Sequence, residues 1–337
     1  MIPGPGRSIT AFAPGRVNLI GDHTDYTGGW ALPMAIQLGT TVTLAPGGDR
    51  VRLSSSVETA TADVGVDVVD PAAEDGWVRY VAGVVAELRP PSGGVGNVTT
   101  SLPIGAGLSS SAALEVALAL ALGFTGTPLE LAMTCQRAEQ RASGVPCGLM
   151  DQLASAAGVE GHALLLDCAT NSVEPVRVPE GCEVVAVHSG RARTLADSDY
   201  AERRRQCEAA AAEIGPLRDA TVADLKAVVD PTDRRRAHHV ITENGRVLAF
   251  VDALKSGDLE EAGALMVQSH ESLKVDFAVS TPGLDELVAD LISRRGVHGA
   301  RLTGAGFGGC VVALTEPGVL DLGWRLTPSG GAHVVPA

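Results

Sequence analysis

Apolar and polar positions alternate over Gly39–Ala45 and Val51–Ser54, which predicts β-strands, and Val95–Leu102 reads the same way. Helical periodicity covers Trp77–Leu88, Pro128–Gly144 and Met150–Gly158. A nearly continuous apolar run at Ala112–Phe124, interrupted by Glu115, predicts a buried helix, shorter than the roughly 20 residues a bilayer span needs. Downstream, Ala163–Asp167, Glu183–His188 and Val311–Leu314 predict buried strands, while Ser198–Ile214, Ala237–Ser256 and Leu284–Arg294 read as helices. Between Asp167 and Glu183 the rhythm stops. Asn171–Gly181 carries two prolines and no period, so a domain boundary is expected there, dividing 1–175 from 176–337. The short, Pro- and Gly-rich stretch Met1–Arg7 reads as a lead-in without a secretory n-region.

Composition narrows the class. At 337 residues and 45% hydrophobic content the chain can bury a large core. A net charge of −14 argues against nucleic acid or an anionic membrane as partner, because both require clustered basic surface. Six scattered cysteines form no CxxC pair, so reduced thiols in a cytoplasmic protein are expected, without disulfides or structural zinc. His238, His239, His270 and His298 fit no usual ligand spacing. The runs Arg203–Arg205 and Arg234–Arg236 read as solvated helix faces, the first near enough to Tyr200 to attract anions.

Candidate chemistry gathers in three stretches. GRVNLIGDHTDYTGG, Gly15–Gly29, sets Arg16, Asp22, His23 and Asp25 between glycines. Such a segment is either a charged surface turn or a grip for a polar ligand, with a guanidinium fork and carboxylates able to accept from hydroxyls. LPIGAGLSSSAALEVA, Leu102–Ala117, runs from a strand through Gly105, Ala106, Gly107 and Leu108 into Ser109, Ser110, Ser111 and Ala112 at a helix start. Backbone N–H groups and the positive helix end could there surround a phosphate without a lysine; an ordinary Ser cap is the alternative. No GxxxxGK[ST] loop is present. In Ala138–Gln152, Asp151 is a carboxylate at an expected helix start, and Glu139 lies on the preceding helix. Gly304, Gly306 and Gly309 satisfy GxGxxG, but a β-prone run follows, so they predict a tight loop rather than a dinucleotide fingerprint.

Taken with Arg193–Glu208, Ser269–Phe277 and Arg301–Val312, these blocks resemble, in the same order, the motifs of the galactokinases of the GHMP small-molecule kinase family. That resemblance implies an α+β, two-domain GHMP architecture: an N-terminal domain like domain 2 of ribosomal protein S5, then a ferredoxin-like C-terminal domain. It implies ATP-dependent phosphorylation of the anomeric hydroxyl of galactose, with Asp151 as base and Arg16 stabilising charge on the transferred group. Asp22, His23, Asp25, Gly148 and Tyr200 would hold the sugar, Gly105–Ala112 the nucleotide, and Ser111 with Glu139 the Mg2+. Asp22 stands where the family usually carries Glu, and Ala305 where many members carry Gly. A kinase of a related sugar, such as arabinose, N-acetylgalactosamine or one altered at C6, and a non-catalytic galactose sensor are the alternatives. The expected partners are sugar and ATP alone, on a monomer or weak homodimer.

Overall fold

A computed structural model of the chain describes residues 8–103, 105–190 and 196–336. The lead-in expected at Met1–Arg7 and the opening of the Arg193–Glu208 block lie outside them. In chain order the strands are β1 (Ile9–Asn18), β2 (Trp30–Ala31), β3 (Pro33–Pro46), β4 (Arg50–Ser55), β5 (Ala62–Gly65), β6 (Gly94–Thr100), β7 (His162–Asp167), β8 (Ser172–Arg177), β9 (Glu183–His188), β10 (Val297–Leu302), β11 (Cys310–Thr315), β12 (Trp324–Leu326) and β13 (His333–Val334). The α-helices are α1 (Val78–Leu88), α2 (Ser110–Ala121), α3 (Pro128–Ser143), α4 (Met150–Ala157), α5 (Ala196–Ile214), α6 (Pro231–Ser256), α7 (Leu259–Val275) and α8 (Pro282–Ile292).

The strands form a six-stranded sheet in the order β13-β1-β3-β6-β4-β5, a four-stranded sheet β10-β11-β9-β12 and a three-stranded sheet β2-β7-β8. Helices α1 to α4 cover the first sheet around a core that includes Val42, Val81, Leu118 and Cys135. The second sheet packs on α5 to α8 through Val187, Phe277, Leu284 and Val311. A further core joins the two halves: Val17, Ile20 and Leu32 from the N-terminal part meet Phe250, Met266 and Val312 from the C-terminal part. No helix among the described residues is long and apolar enough to cross a membrane.

Helix α7 and strands β1 and β10 were not signalled by periodicity, and two further stretches differ from its reading. Ser172–Arg177, inside the expected linker, is an edge strand that pairs antiparallel with β7. An edge position tolerates Pro175, whose missing N–H breaks the sequence pattern but no inner ladder. Helix α6 starts at Pro231 rather than Ala237, because the Asp230 side chain caps it by accepting from Thr232 N at 2.7 Å and Asp233 N at 3.0 Å. Phe250, fully buried in the core that joins the halves, gives a direct check on this packing. Phe250→Ala is expected to cost about 3–5 kcal/mol, seen as a lower urea midpoint.

Candidate functional site

Strand β1 carries the first functional side chain into place. Its pairing with β3 is regular from Ile9 to Pro14 and shifts register before Arg16, so a bulge at Gly15 turns the strand. Gly15 is required there: a Cβ would lie 2.5 Å from the Leu108 carbonyl oxygen. Arg16, 4% exposed, then donates from Nε to Asp151 Oδ1 at 2.8 Å and from Nη2 to Oδ2 at 2.6 Å. Its third arm, Nη1, reaches the Gly107 carbonyl at 2.8 Å. One guanidinium thus joins a carboxylate in the first turn of α4 to the glycine loop before α2.

That loop turns through left-handed backbone. Gly105 and Gly107 take φ of 73° and 79°, and Ser109, at the N-cap of α2, also sits in the left-handed region at φ 58°. Ser109 makes no side-chain cap; its hydroxyl donates instead to Asp151 Oδ2 at 2.5 Å. The first amides of α2 therefore keep their donors for a ligand, which removes the ordinary-cap reading. Gly105, Gly107, Ser109, Ser110 and Ser111 line a cavity of about 320 Å³, together with Arg16, Glu139, Asp151 and Tyr200. Ala106, Leu108 and Ala112 are buried instead, so what they can offer a ligand is backbone.

On the far wall stand the residues of the Gly21–Gly29 loop. Thr24 closes it, donating from Oγ1 to the carbonyls of Gly21 at 2.8 Å and Trp30 at 2.7 Å. His23 takes φ 65°, with Nε2 3.2 Å from the Ala305 carbonyl and Nδ1 2.9 Å from the Tyr26 hydroxyl. A carbonyl can only accept, so Nε2 carries the proton and Nδ1 accepts from Tyr26. Asp25 packs so closely on Gly148 that a Cβ there would lie 1.7 Å from Asp25 Oδ2. Burial, then the nearby Asp151 charge, pushes the Asp25 carboxyl up to about 7. Tyr200 lies across the His23 ring, centroids 5.5 Å apart. All five residues expected to hold the sugar, Asp22, His23, Asp25, Gly148 and Tyr200, line this one cavity.

Asp22 is held hardest of these. It is 1% exposed, pairs with Arg301 Nη2 at 2.6 Å and accepts from Gly304 N at 3.0 Å. Burial pushes its carboxyl up while Arg301 opposes the shift. Arg301 is itself fully buried and donates to the Leu19 carbonyl and the Ser269 hydroxyl, both at 3.2 Å. Beneath the loop Glu243 of α6 accepts from Gly21 N at 3.0 Å, Ser269 Oγ at 2.5 Å and Arg246 Nε at 2.7 Å. His239 reaches the Asp22 carbonyl at 3.2 Å, and Asn244 Oδ1 accepts from Trp30 N at 2.8 Å. This support escaped the motif reading, because Glu243 sits in the polar run Thr242–Arg246, which carries no sign of burial in the sequence.

Several sequence expectations change in the folded chain. Arg203 is no solvated face: it donates to the carbonyls of Phe277 at 2.8 Å and Ala278 at 2.9 Å. Arg204 donates to the Pro146 carbonyl at 2.7 Å. Arg236, 5% exposed, donates to Gln206 Oε1 at 2.9 Å and to the Asp276 carbonyl at 2.5 Å. Arg205, Arg234 and Arg235 are exposed as expected, so each run is split between water and the interior; helical charge patterns look alike whether they meet water or unpaired carbonyls. The GxGxxG stretch is a tight loop as expected: a Cβ on Gly306 would meet the Val279 carbonyl at 2.5 Å.

Glu139 turns into the cavity while its neighbours Arg137 and Arg141 pair with Glu87, each at 2.9 Å. It accepts from Ser111 Oγ at 2.9 Å and from Gln152 Nε2, which also reaches Glu115 Oε2 at 3.3 Å. Burial, then Asp151, pushes the Glu139 carboxyl up to about 7. An acid beside a hydroxyl at a phosphate loop is an oxygen donor set suited to a hard divalent cation. Its charge would draw the Glu139 proton off.

Three family models match the chain: the galactokinase galactose-binding signature at residues 4–46, the GHMP kinase N-terminal domain at 79–159 and the GHMP kinase C-terminal domain at 250–325. Among solved structures, Lactococcus lactis galactokinase complexed with galactose is 30% identical with a TM-score of 0.89, the match covering 98% of this chain and 95% of that one. Methanococcus jannaschii mevalonate kinase, 21% identical over 94% of this chain and 93% of that one, has a TM-score of 0.69. Streptococcus pneumoniae phosphomevalonate kinase with phosphomevalonate and AMPPNP is 15% identical over 91% and 92%, at a TM-score of 0.65. The last two share the fold.

The buried network under the loop has a pH signature. Burial alone would push the Glu243 carboxyl up; Arg246 above all, with Arg301 and the Ser269 hydroxyl, outweighs it and holds the group at about 2. A depressed acid contributes stability above its unfolded value of roughly 4.3 and loses it as pH falls toward the folded value. Glu243→Gln is therefore expected to cost on the order of 3 kcal/mol near neutrality, with the gap to wild type shrinking between about pH 5 and 2. Urea titrations across that range check it.

Proposed function

Because the chain belongs to the galactokinases of the GHMP kinase family, we propose that it transfers the γ-phosphoryl group of ATP to the anomeric hydroxyl of D-galactose, giving α-D-galactose 1-phosphate and ADP. The observation that carries this reading is the double fork of Arg16, which holds Asp151 on one side and the phosphate loop on the other. Acceptor and donor sites must adjoin for an in-line transfer, and these two share one guanidinium.

Asp151 is the base. Its carboxylate takes the proton of the anomeric hydroxyl as the sugar oxygen attacks the γ-phosphorus, and the bond to the ADP oxygen breaks. Ser109 and Arg16 fix its two oxygens, which leaves the remaining lone pairs, on a side chain 30% exposed, for the incoming hydroxyl. Arg16 also supplies positive charge where the attacking oxygen and the phosphoryl group become more negative. Asp22, His23, Asp25, Gly148 and Tyr200 hold the other hydroxyls, and Arg301 keeps Asp22 at the cavity wall. The amides of Gly105–Ala112 take the nucleotide phosphates. Beyond Ser110 and Ser111 a second cavity of about 370 Å³, lined by Trp77, Tyr80 and Arg79, suits the nucleoside end, since Tyr80, Ser110 and Ser111 border both. Ser111 and Glu139 would hold Mg2+, which when bound shields phosphate charge.

The division expected at 175/176 falls within β8, so we take the N-terminal domain of the cleft to run through the β7–β8 hairpin, supplying base and phosphate loop, and the C-terminal part to supply Tyr200 and the Gly304–Ala305 edge.

The test is ADP release with galactose and ATP in the presence of Mg2+. Asp151→Asn is expected to lower kcat by about 10²–10⁴ while ATP still binds by calorimetry. Wild-type-like turnover in that variant removes Asp151 as base. Gly148→Ala, which displaces the Asp25 carboxylate, is expected to lower kcat/KM for galactose about a hundredfold and leave the KM for ATP in place.

A further inference from the structure

Beside the Asp25–Thr27 turn lies an ion pair that the transfer itself does not use. Arg218, in the loop after α5, meets Asp167 at the end of β7: Nη2 donates to Oδ2 at 2.9 Å and Nη1 donates to Oδ1. Nη1 also donates to the Gly28 carbonyl at 3.1 Å, and the guanidinium carbon lies 4.7 Å from the Trp30 ring centre. Gly28 is the left-handed residue, φ 72°, that ends the Asp25–Thr27 turn. Asp167 Oδ1 accepts in addition from Ala169 N at 3.0 Å and Thr170 N at 3.3 Å. The Arg218 hydrogen bonds above all hold the Asp167 carboxyl at about 2.

Three segments distant in sequence therefore meet on one guanidinium: the turn bearing Asp25 and Tyr26, the β7–β8 hairpin and the loop after α5. The Asp167 side chain is 10% exposed and that of Arg218 22%, so the fork is partly shielded from water and rotationally fixed by both carboxylate oxygens, a carbonyl and an indole face. The turn it anchors has no slack on its other side, where Asp25 abuts Gly148. A shift of a few tenths of an ångström at Gly28 is passed to the Asp25 carboxylate and to the Tyr26 hydroxyl that donates to His23.

We propose that Arg218 is a positioning residue for the acceptor sugar, setting the Asp25–Thr27 turn through Asp167 and the Gly28 carbonyl. The inference rests on the reading of Asp25 and His23 as sugar-binding residues. Arg218 touches neither Asp151 nor the phosphate loop, so its loss weakens sugar binding selectively.

Steady-state ADP release, with galactose and ATP varied separately, tests this in wild type, Arg218→Met, Arg218→Lys and Asp167→Asn. Arg218→Met keeps an apolar stem over Trp30 and removes the fork; it is expected to raise the galactose KM about tenfold, with kcat and the ATP KM within about twofold. Arg218→Lys, which keeps the charge without the bidentate geometry, recovers part of the loss. Asp167→Asn shows the same split and serves alone if Arg218→Met does not fold. A wild type that does not phosphorylate galactose overturns the reading of the site and this inference with it. A wild type that does, with galactose KM unchanged in Arg218→Met and Asp167→Asn, or with kcat and both KM values changed alike, overturns only the positioning role.

Discussion

The fork between Arg16 and Asp151 is the contact on which the cleft depends. A carboxylate and a guanidinium taken out of water cost several kcal/mol each unless their hydrogen bonds are completed, and here each is completed by the other and by the phosphate loop. Asp151 receives two bonds from Arg16 and one from Ser109; Arg16 spends its remaining arm on Gly107. The bulge at Gly15 exists to make that reach possible. Asp151, Arg16 and the loop before α2 are consequently tied together before any ligand arrives, which is the preorganisation that the proposed phosphoryl transfer requires.

A second layer of charge supports the other wall. Asp22 with Arg301, and Glu243 with Arg246, are carboxylate–guanidinium pairs buried at the junction of the halves. Hydrophobic residues of similar size would hold that junction at least as firmly. Only polar side chains, however, can satisfy the backbone in and around the Gly21–Gly29 loop: Gly21 N, Trp30 N and the carbonyls of Leu19 and Asp22 all end on side chains from α6 or β10. The C-terminal half thereby shapes a loop that the N-terminal half encodes. In this chain the short Asp22 carboxylate lines the cavity while held by Arg301 and the Gly304 amide.

The loop before α2 is set apart by an omission. A serine at an N-cap ordinarily accepts from its own helix; Ser109 is turned by its left-handed backbone to donate to Asp151 instead. The first amides of α2 are left without a side-chain cap, and the helix dipole adds to the positive charge of Arg16 at that end.

Local pattern carried much of this protein into view. The Ala/Leu helix behind the loop, the strands Glu183–His188 and Val311–Leu314 and the Gly-Ser motif were legible because periodicity and glycine spacing are short-range properties; Arg16, Asp22, His23 and Asp25 stood out because they are close in sequence, whereas Gly148 and Tyr200 came only with the family resemblance. The edge strand Ser172–Arg177, the early start of α6, the burial of Arg236 and the pairing of Arg218 with Asp167 were not. A charged side chain has the same local signature whether it faces water or a carbonyl 190 residues away, as Arg218 does at Gly28. Sequence by itself determined which groups could do chemistry here and which backbone had to bend. The tertiary structure alone decided which charges are taken out of water together, because desolvation depends on what packs above a residue and not on its neighbours in the chain.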